Sequence, residues 1–579
     1  MRYTFLLAGW TLALYSSSQS LLWSLCWDTQ TGANILAMDF NTTDELFAGG
    51  VFGGGTIDID PGTGQFLLSS TDNADAFLFK YAADGSVLWG HVFGDSTSSS
   101  ITALYPDDQG GVYVAGNYSW GTFDVDPGPS VLALSPNGTV NNAFIAHFDS
   151  LGELDWAFDL GAPWAYLFPS DLKLDGSGNI FLTGSFGTGN NAGIDMDPGP
   201  GVSELFSFDQ TDGNAFLAKY SGNGIYHWSF RIGGSANFEG AQGVAVDTNG
   251  NATIAGIIES VDVDLDPGPG QFLVHAPNGR QHLFLASYQP DGTFRWGGAA
   301  GSGLTGSGSG IYNLTGTTDG GVVATGFLIG GDVDMDLGPG QWLVSDTAAF
   351  VIKYTALGEL EWFVPLSGSG NYGGEGLSLD RSASDEIVGV GRFLADSLQI
   401  GIGGPWIHRT GTYGGYAARF GSDGTLLDAF AMNSTELTQA YRVAAADNGD
   451  AMISGIFLGQ GLDLDPNGTL PSCTATGTIA DGFLARYGDL STALGHDRDP
   501  LLFSLFPVPV AAGQGVQVEG PTEPFLWRVT DLMGKELYRG HANGPTTLPT
   551  GALSPGAYLV QLESRFRSSR AMRMVVLWK

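Results

Sequence analysis

The chain has 579 residues, of which 89 are Gly and only 14% are Asp, Glu, Lys or Arg. Glycine at about twice its average frequency costs helix interiors about 1 kcal/mol per position, while 43% apolar and 12% aromatic residues exclude disorder, so the composition reads as all-β. Sixty acidic residues against 23 basic ones leave a net charge of −37, which excludes a nucleic-acid backbone as partner and favours cations.

In chain order, Arg2 precedes an apolar run, Phe5 to Leu14, followed by Ser16, Ser17 and Ser18. This is the order of a secretory signal peptide over residues 1–20, with cleavage after Ser18 or Ser20. The run has about half the residues that a bilayer span requires, so a membrane anchor is the weaker reading and no transmembrane segment is expected in the mature chain.

From residue 21 to 492 the chain repeats. A hairpin with a Gly turn ends on Trp89, Trp156, Trp228, Trp296 and Trp362, as in Phe77-Leu78-Phe79-Lys80-Tyr81 to Trp89. A sixth copy has Asp428 at the Trp position. Each repeat holds a second hairpin, exemplified by residues 101–118, 171–186 and 243–258. Four short strands per repeat, seven repeats and D-G, N-G and G-G turns predict antiparallel sheets arranged as a seven-bladed β-propeller; an open solenoid is the alternative. The G-x-x-Y/F-x-x-G-x-F/Y strand and the A-F-x-A-K-Y-x-x-x-G-x-x-x-W hairpin resemble the seven-bladed propeller repeat of secreted bacterial proteins.

The seventh repeat lacks its Trp strand after Gly482 to Tyr487, whereas Trp23 lies 66 residues before Trp89. The leading strand is therefore expected to complete blade seven, which brings Cys26 near Cys473. A disulfide is the natural inference outside the cytoplasm, two buried thiols the other reading.

Between the second and third strands of six repeats sits an acidic loop. It carries Asp58 and Asp60, Asp124 and Asp126, Asp195 and Asp197, then Asp262, Asp264 and Asp266, Asp332, Asp334 and Asp336, and Asp463 and Asp465. Carboxylates at i and i+2 on an extended chain share a face, and such hard oxygens suit Ca²⁺, making these candidate metal ligands. Asp before Pro-Gly is equally a turn signal, so both readings stand. In the sixth repeat, residues 396–410 replace the loop, and Trp406, His408 and Arg409 are the candidate ligand contacts. No catalytic residue is assigned, because the eight histidines are scattered and no H-E-x-x-H or nucleophile-elbow pattern occurs.

Residues 493–500 form a linker, after which the charge balance changes to eight basic against five acidic residues. Residues 501–579 carry Phe506-Pro507-Val508-Pro509, Asp531-Leu532-Met533-Gly534-Lys535, Leu553 to Tyr558 and a basic last strand, Arg570 to Lys579. These motifs resemble the C-terminal sorting domain of type IX secretion cargo in the Bacteroidetes group, with Val508 where that family usually has Asn. The resemblance implies a small Ig-like β-sandwich read by the outer-membrane translocon; an ordinary Ig-like binding domain is the alternative. The expected product is a secreted or surface-attached scaffold for binding or adhesion, with an extracellular glycan or protein as ligand and not an enzyme. The alternative is a polysaccharide-active enzyme with its site at the channel mouth.

Overall fold

The computed structural model describes residues 19–27, 32–70, 74–93, 98–119, 121–135, 141–190, 192–208, 213–234, 237–345, 348–369, 373–466, 473 and 480–489, and strands between 504 and 578. Residues 1–18 of the expected signal peptide 1–20, the expected linker 493–500 and the motif residues Pro507 to Pro509, Leu532 to Lys535 and Leu553 to Pro555 lie outside the described residues, while Gln19 and Ser20 open the first described strand. The chain divides into two compact units, 1–489 and 490–579.

The first unit is a seven-bladed β-propeller. Blade one, typical of the set, is built from Ala33–Phe40, Leu46–Phe52, Asp75–Tyr81 and Val87–Phe93 in that order. The first strand of each blade lies innermost, touching the first strands of its two neighbours, and Ala33–Phe40 meets Leu437–Ala445 to shut the ring. Gln19–Trp27 forms the outermost strand of blade seven, pairing antiparallel with Asp481–Asp489 so that Cys26 lies opposite Phe483. Cys26 is bonded to Cys473, at a Cα–Cα distance of 6.2 Å and a separation of 447 residues. Among the described residues the only helical element is a three-residue 3₁₀ turn, Pro277–Gly279.

Two repeated features of the sequence acquire physical reasons here. The first is the tryptophan series. Trp89 Nε1 donates to Ser150 O at 3.1 Å, and Trp228, Trp296 and Trp362 make the same bond to Pro290, Ala356 and Ser422. Each acceptor lies in the turn of the following blade, whose glycine the indole covers, so the series latches blade to blade. The second is the Tyr that ends the third strand. Tyr81, Tyr220, Tyr288, Tyr354 and Tyr487 each donate to the carbonyl between the paired aspartates of the acidic loop. The apolar residues at that point, Ile59 to Leu464 in the six loops, are buried against the blade.

The second unit has a five-stranded sheet ordered Val510–Ala511, Arg570–Trp578, Gly556–Ser564, Pro524–Asp531 and Glu536–Asn543. Its other sheet holds Ser504–Phe506, Val516–Glu519 and Thr546–Leu548.

Candidate functional site

A β-bulge interrupts the innermost strand of all seven blades at the same place, leaving Leu36, Thr102, Ser170, Gln242, Tyr312, Leu377 and Tyr441 as extra residues. Bulges re-aim the side chains that follow them. Just beyond these bulges a cavity of about 250 Å³ occupies the channel, lined from all seven innermost strands. A second of about 310 Å³ shares Asp39, Lys173, Thr315 and Asp380 with it and reaches the turns at Thr42, Thr248 and Thr318.

Where the repeats would otherwise be interchangeable, this ring is not. Counting three residues past the bulge gives Asp39, Tyr105, Lys173, Ala245, Thr315, Asp380 and Ala444. Counting one past it gives Asp171, Asn313, Ser378 and Arg442 among small residues. Lys173 Nζ lies 3.5 Å from Asp39 Oδ2 and 4.9 Å from the centre of the Tyr105 ring. Asp171 Oδ2 accepts the Val244 N–H of blade four at 2.9 Å, and Asp380 Oδ2 accepts the Ala445 N–H of blade seven at 2.8 Å. Arg442 Nε donates across the ring closure to Leu36 O at 2.5 Å.

Burial sets the charge states of this cluster. It raises Asp39 above the usual carboxylate range, only partly opposed by Lys173, and raises Asp171 likewise. Asp380 is pushed up to about 7, by burial first and then by the neighbouring charge of Asp39. Burial acts against the Lys173 ammonium, but Asp171 and Asp39 outweigh it and hold the amine protonated. Burial pulls the Arg442 guanidinium below its ordinary value. With Arg381 engaged by Asp385 at 3.1 Å, three carboxylates face the two cations Lys173 and Arg442, and Asp380 is the one that takes a proton near neutrality.

The residues singled out from the sequence lie elsewhere. Asp58 Oδ1 accepts the N–H groups of Asp60 and Phe66 at 3.1 and 2.9 Å, and Asp60 Oδ1 that of Gly62 at 2.7 Å. The first pattern recurs at Asp124, Asp195, Asp264 and Asp334. The second recurs at Asp126, Asp197, Asp266 and Asp336. Asp463 accepts from Asp465 N, Asp262 pairs with His275 at 2.5 Å, and Asp332 is exposed. Asp58, Asp60 and their counterparts thus accept backbone N–H groups within their own turns, whereas Asp262 and Asp332 do not, and among the described residues no group of three His, Cys, Asp or Glu is arranged to hold a metal ion.

In blade six, the hairpin Ser397–Ile400 and Trp406–His408 pairs onto the outer strand of blade five, extending that sheet to six strands. Arg409 is committed to Asp396 Oδ1 at 2.9 Å and to the carbonyls of Ala395 and Gly411, while Trp406 and His408 are exposed. None of the three lines the channel cavities. The channel cluster was not singled out from the sequence; the signal for it was present, because aligning the second hairpins shows Asp, Tyr, Lys, Ala and Thr at one position of otherwise equivalent strands.

No family model matches the chain, and no curated protein does. Among solved structures it is similar to PorZ, a surface component of the type IX secretion system of Porphyromonas gingivalis, at 9% identity over 95% of this chain and 93% of that one, with a TM-score of 0.20. A protein of unknown function from Dyadobacter fermentans matches at 10% identity over 81% and 99% of the two chains, TM-score 0.34. The extracellular domain of a hybrid two component system from B. thetaiotaomicron matches at 11% identity over 94% and 80%, TM-score 0.18. Likenesses of this size assign no role to any residue.

Proposed function

We propose that the chain is an extracellular propeller that binds a polar ligand in its central channel and is exported through residues 501–579 by the type IX route. The observation that carries the binding reading is the convergence of Asp39, Asp171, Lys173, Asp380 and Arg442 from blades one, three, six and seven on one cavity. A scaffold without a ligand there has no reason to bury unlike charges from several repeats, since apolar or small side chains, as at Ala245 and Ala444, build the same strand at lower desolvation cost. The neighbouring Gln242, Asn313, Thr315 and Tyr312 add amide and hydroxyl partners suited to a polyhydroxylated molecule. The Cys26–Cys473 bond supports an oxidising, extracellular address.

The test is a glycan and surface-protein array probed with the full chain and with Lys173→Met and Asp380→Asn. Loss of tenfold or more in affinity in both, with Trp406→Ala and His408→Ala unaffected, is expected; a ligand indifferent to both channel substitutions overturns the reading. A second reading, polysaccharide cleavage, is favoured by Asp380 alone, since a carboxyl titrating at about 7 beside further carboxyls is equipped for proton transfer. Product release from the bound glycan that disappears in Asp380→Asn would select it. For export, removing residues 501–579 should leave the chain in the periplasm, and finding it outside the cell would reject the sorting assignment.

A further inference from the structure

The end of the channel remote from Asp39 and Lys173 carries an aromatic platform built on blades three and four. Trp164 precedes the innermost strand of blade three with φ 64°, a left-handed conformation, yet 62% of its surface is exposed. A bulky residue held there without burial in return marks a candidate site. Two residues on, Tyr166 and Phe168 alternate with buried Ala165, Leu167 and Pro169, their ring centres 5.4 Å apart and Phe168 left 37% exposed. Glycines on adjoining strands make room for the rings. A Cβ at Gly187 would lie 2.6 Å from Tyr166, and one at Gly213 would lie 2.8 Å from Tyr166 Oη and 2.9 Å from Phe238. Tyr166 and Phe238 therefore both border the space above Gly213.

At the position of Phe168 the other blades hold Asn34, Ser100, Gly240, Gly310, Glu375 and Gln439, counting two residues before each bulge. The glycines of blades four and five are buried, a Cβ at Gly240 falling 2.8 Å from the Phe238 ring and one at Gly310 2.7 Å from Ile257 and Phe327. Blades six and seven supply polar groups at the same level: Arg392 donates to Glu375 Oε2 from Nε and Nη2 at 3.0 and 2.7 Å and to Gln439 Oε1 at 3.2 Å, and Tyr441 donates to Gln439 as well. Glu375 Oε1 accepts no bond among the described residues.

We infer that this mouth binds a neutral saccharide chain, its ring faces on Tyr166, Phe168 and Trp164 and its hydroxyls toward Glu375 and Arg392. The C–H face of a pyranose carries partial positive charge and is drawn to the negative face of an aromatic ring, while each hydroxyl both donates and accepts. An acidic saccharide is opposed by the net charge of −37, and a cation finds Glu375 already neutralised by Arg392. The inference rests on the ring being a ligand-binding one and adds the ligand's class and point of entry.

The experiment titrates the full chain with cellohexaose, laminarihexaose, mannohexaose and maltohexaose, and with oligogalacturonate for comparison, following tryptophan fluorescence and heat. At least one neutral oligosaccharide should bind, Trp164→Ala and Phe168→Ala should each weaken it tenfold or more, and Phe168→Tyr should retain it. Trp164→Gly should raise the unfolding midpoint while weakening binding, a combination that a merely structural Trp does not produce. Neutral oligosaccharides that fail to bind, or that bind equally to both alanine variants, overturn the inference, as does binding restricted to oligogalacturonate. If another ligand binds in a Lys173-dependent way, the saccharide platform falls and the channel reading stands; if nothing binds at either place, both fall.

Discussion

Gly358 is the position where the interblade latch is most sharply testable. It sits in the turn after Tyr354 with φ 80°, and a Cβ added to it would lie 2.6 Å from Cε3 of Trp296 in the preceding blade. Any L side chain there incurs about 1–2 kcal/mol for the left-handed backbone. Overpacking adds about 1–3 kcal/mol, because Trp296 cannot withdraw without losing its 3.0 Å bond to Ala356 O. Gly178 provides the control: φ is 76°, and a Cβ there would meet nothing within 4 Å. Gly358→Ala should therefore cost about 2–5 kcal/mol and Gly178→Ala about 1–2 kcal/mol. In a Trp296→Ala background the cost at Gly358 should fall to that of Gly178. Urea unfolding of the oxidised full chain, followed by circular dichroism and fluorescence, measures all four variants. Equal costs at the two glycines, or an undiminished cost once the indole is gone, would refute the claim that the indole and the glycine are one device.

Cys26→Ser should lower stability by about 4–6 kcal/mol on chain-entropy grounds, since the bond closes a loop of 447 residues; equal midpoints with and without reductant would count against it. Asp380 has a folded value near 7, above the ordinary 3.8, so its contribution is fully present below about pH 4 and is lost as pH rises through 7. Between those limits the wild type should lose stability relative to Asp380→Asn, and parallel melting-against-pH curves for the two would show that the carboxyl is not raised. Asp264→Ala removes the acceptor of two backbone N–H groups and should cost about 1–2 kcal/mol in the presence of EDTA; a loss seen only with Ca²⁺ would instead give that carboxylate to a metal.

Much of the architecture was legible in short-range pattern. The near-continuous apolar run of Phe77 to Tyr81 and its copies declares strands buried on both faces, and the Gly turns declare hairpins, because both signals act within a few residues. The 66-residue offset of Trp23 from Trp89 marks the leading strand as the counterpart of an outer strand, and the structure pairs it with Asp481–Asp489. The acidic loops were visible as motifs, but their part in the turn was not, because it depends on where N–H groups such as that of Phe66 fall, eight residues away from Asp58.

What the chain by itself determined is the repeating unit, its count and its way of closing, since periodicity records which face of each strand is buried. Only the assembled ring decided what Asp39, Asp171, Lys173, Asp380 and Arg442 do together. They come from four strands spread over about 400 residues of the chain, each following a bulge that turns its side chains to one axis, and the rotation that makes the blades alike in the sequence brings their few unlike residues face to face.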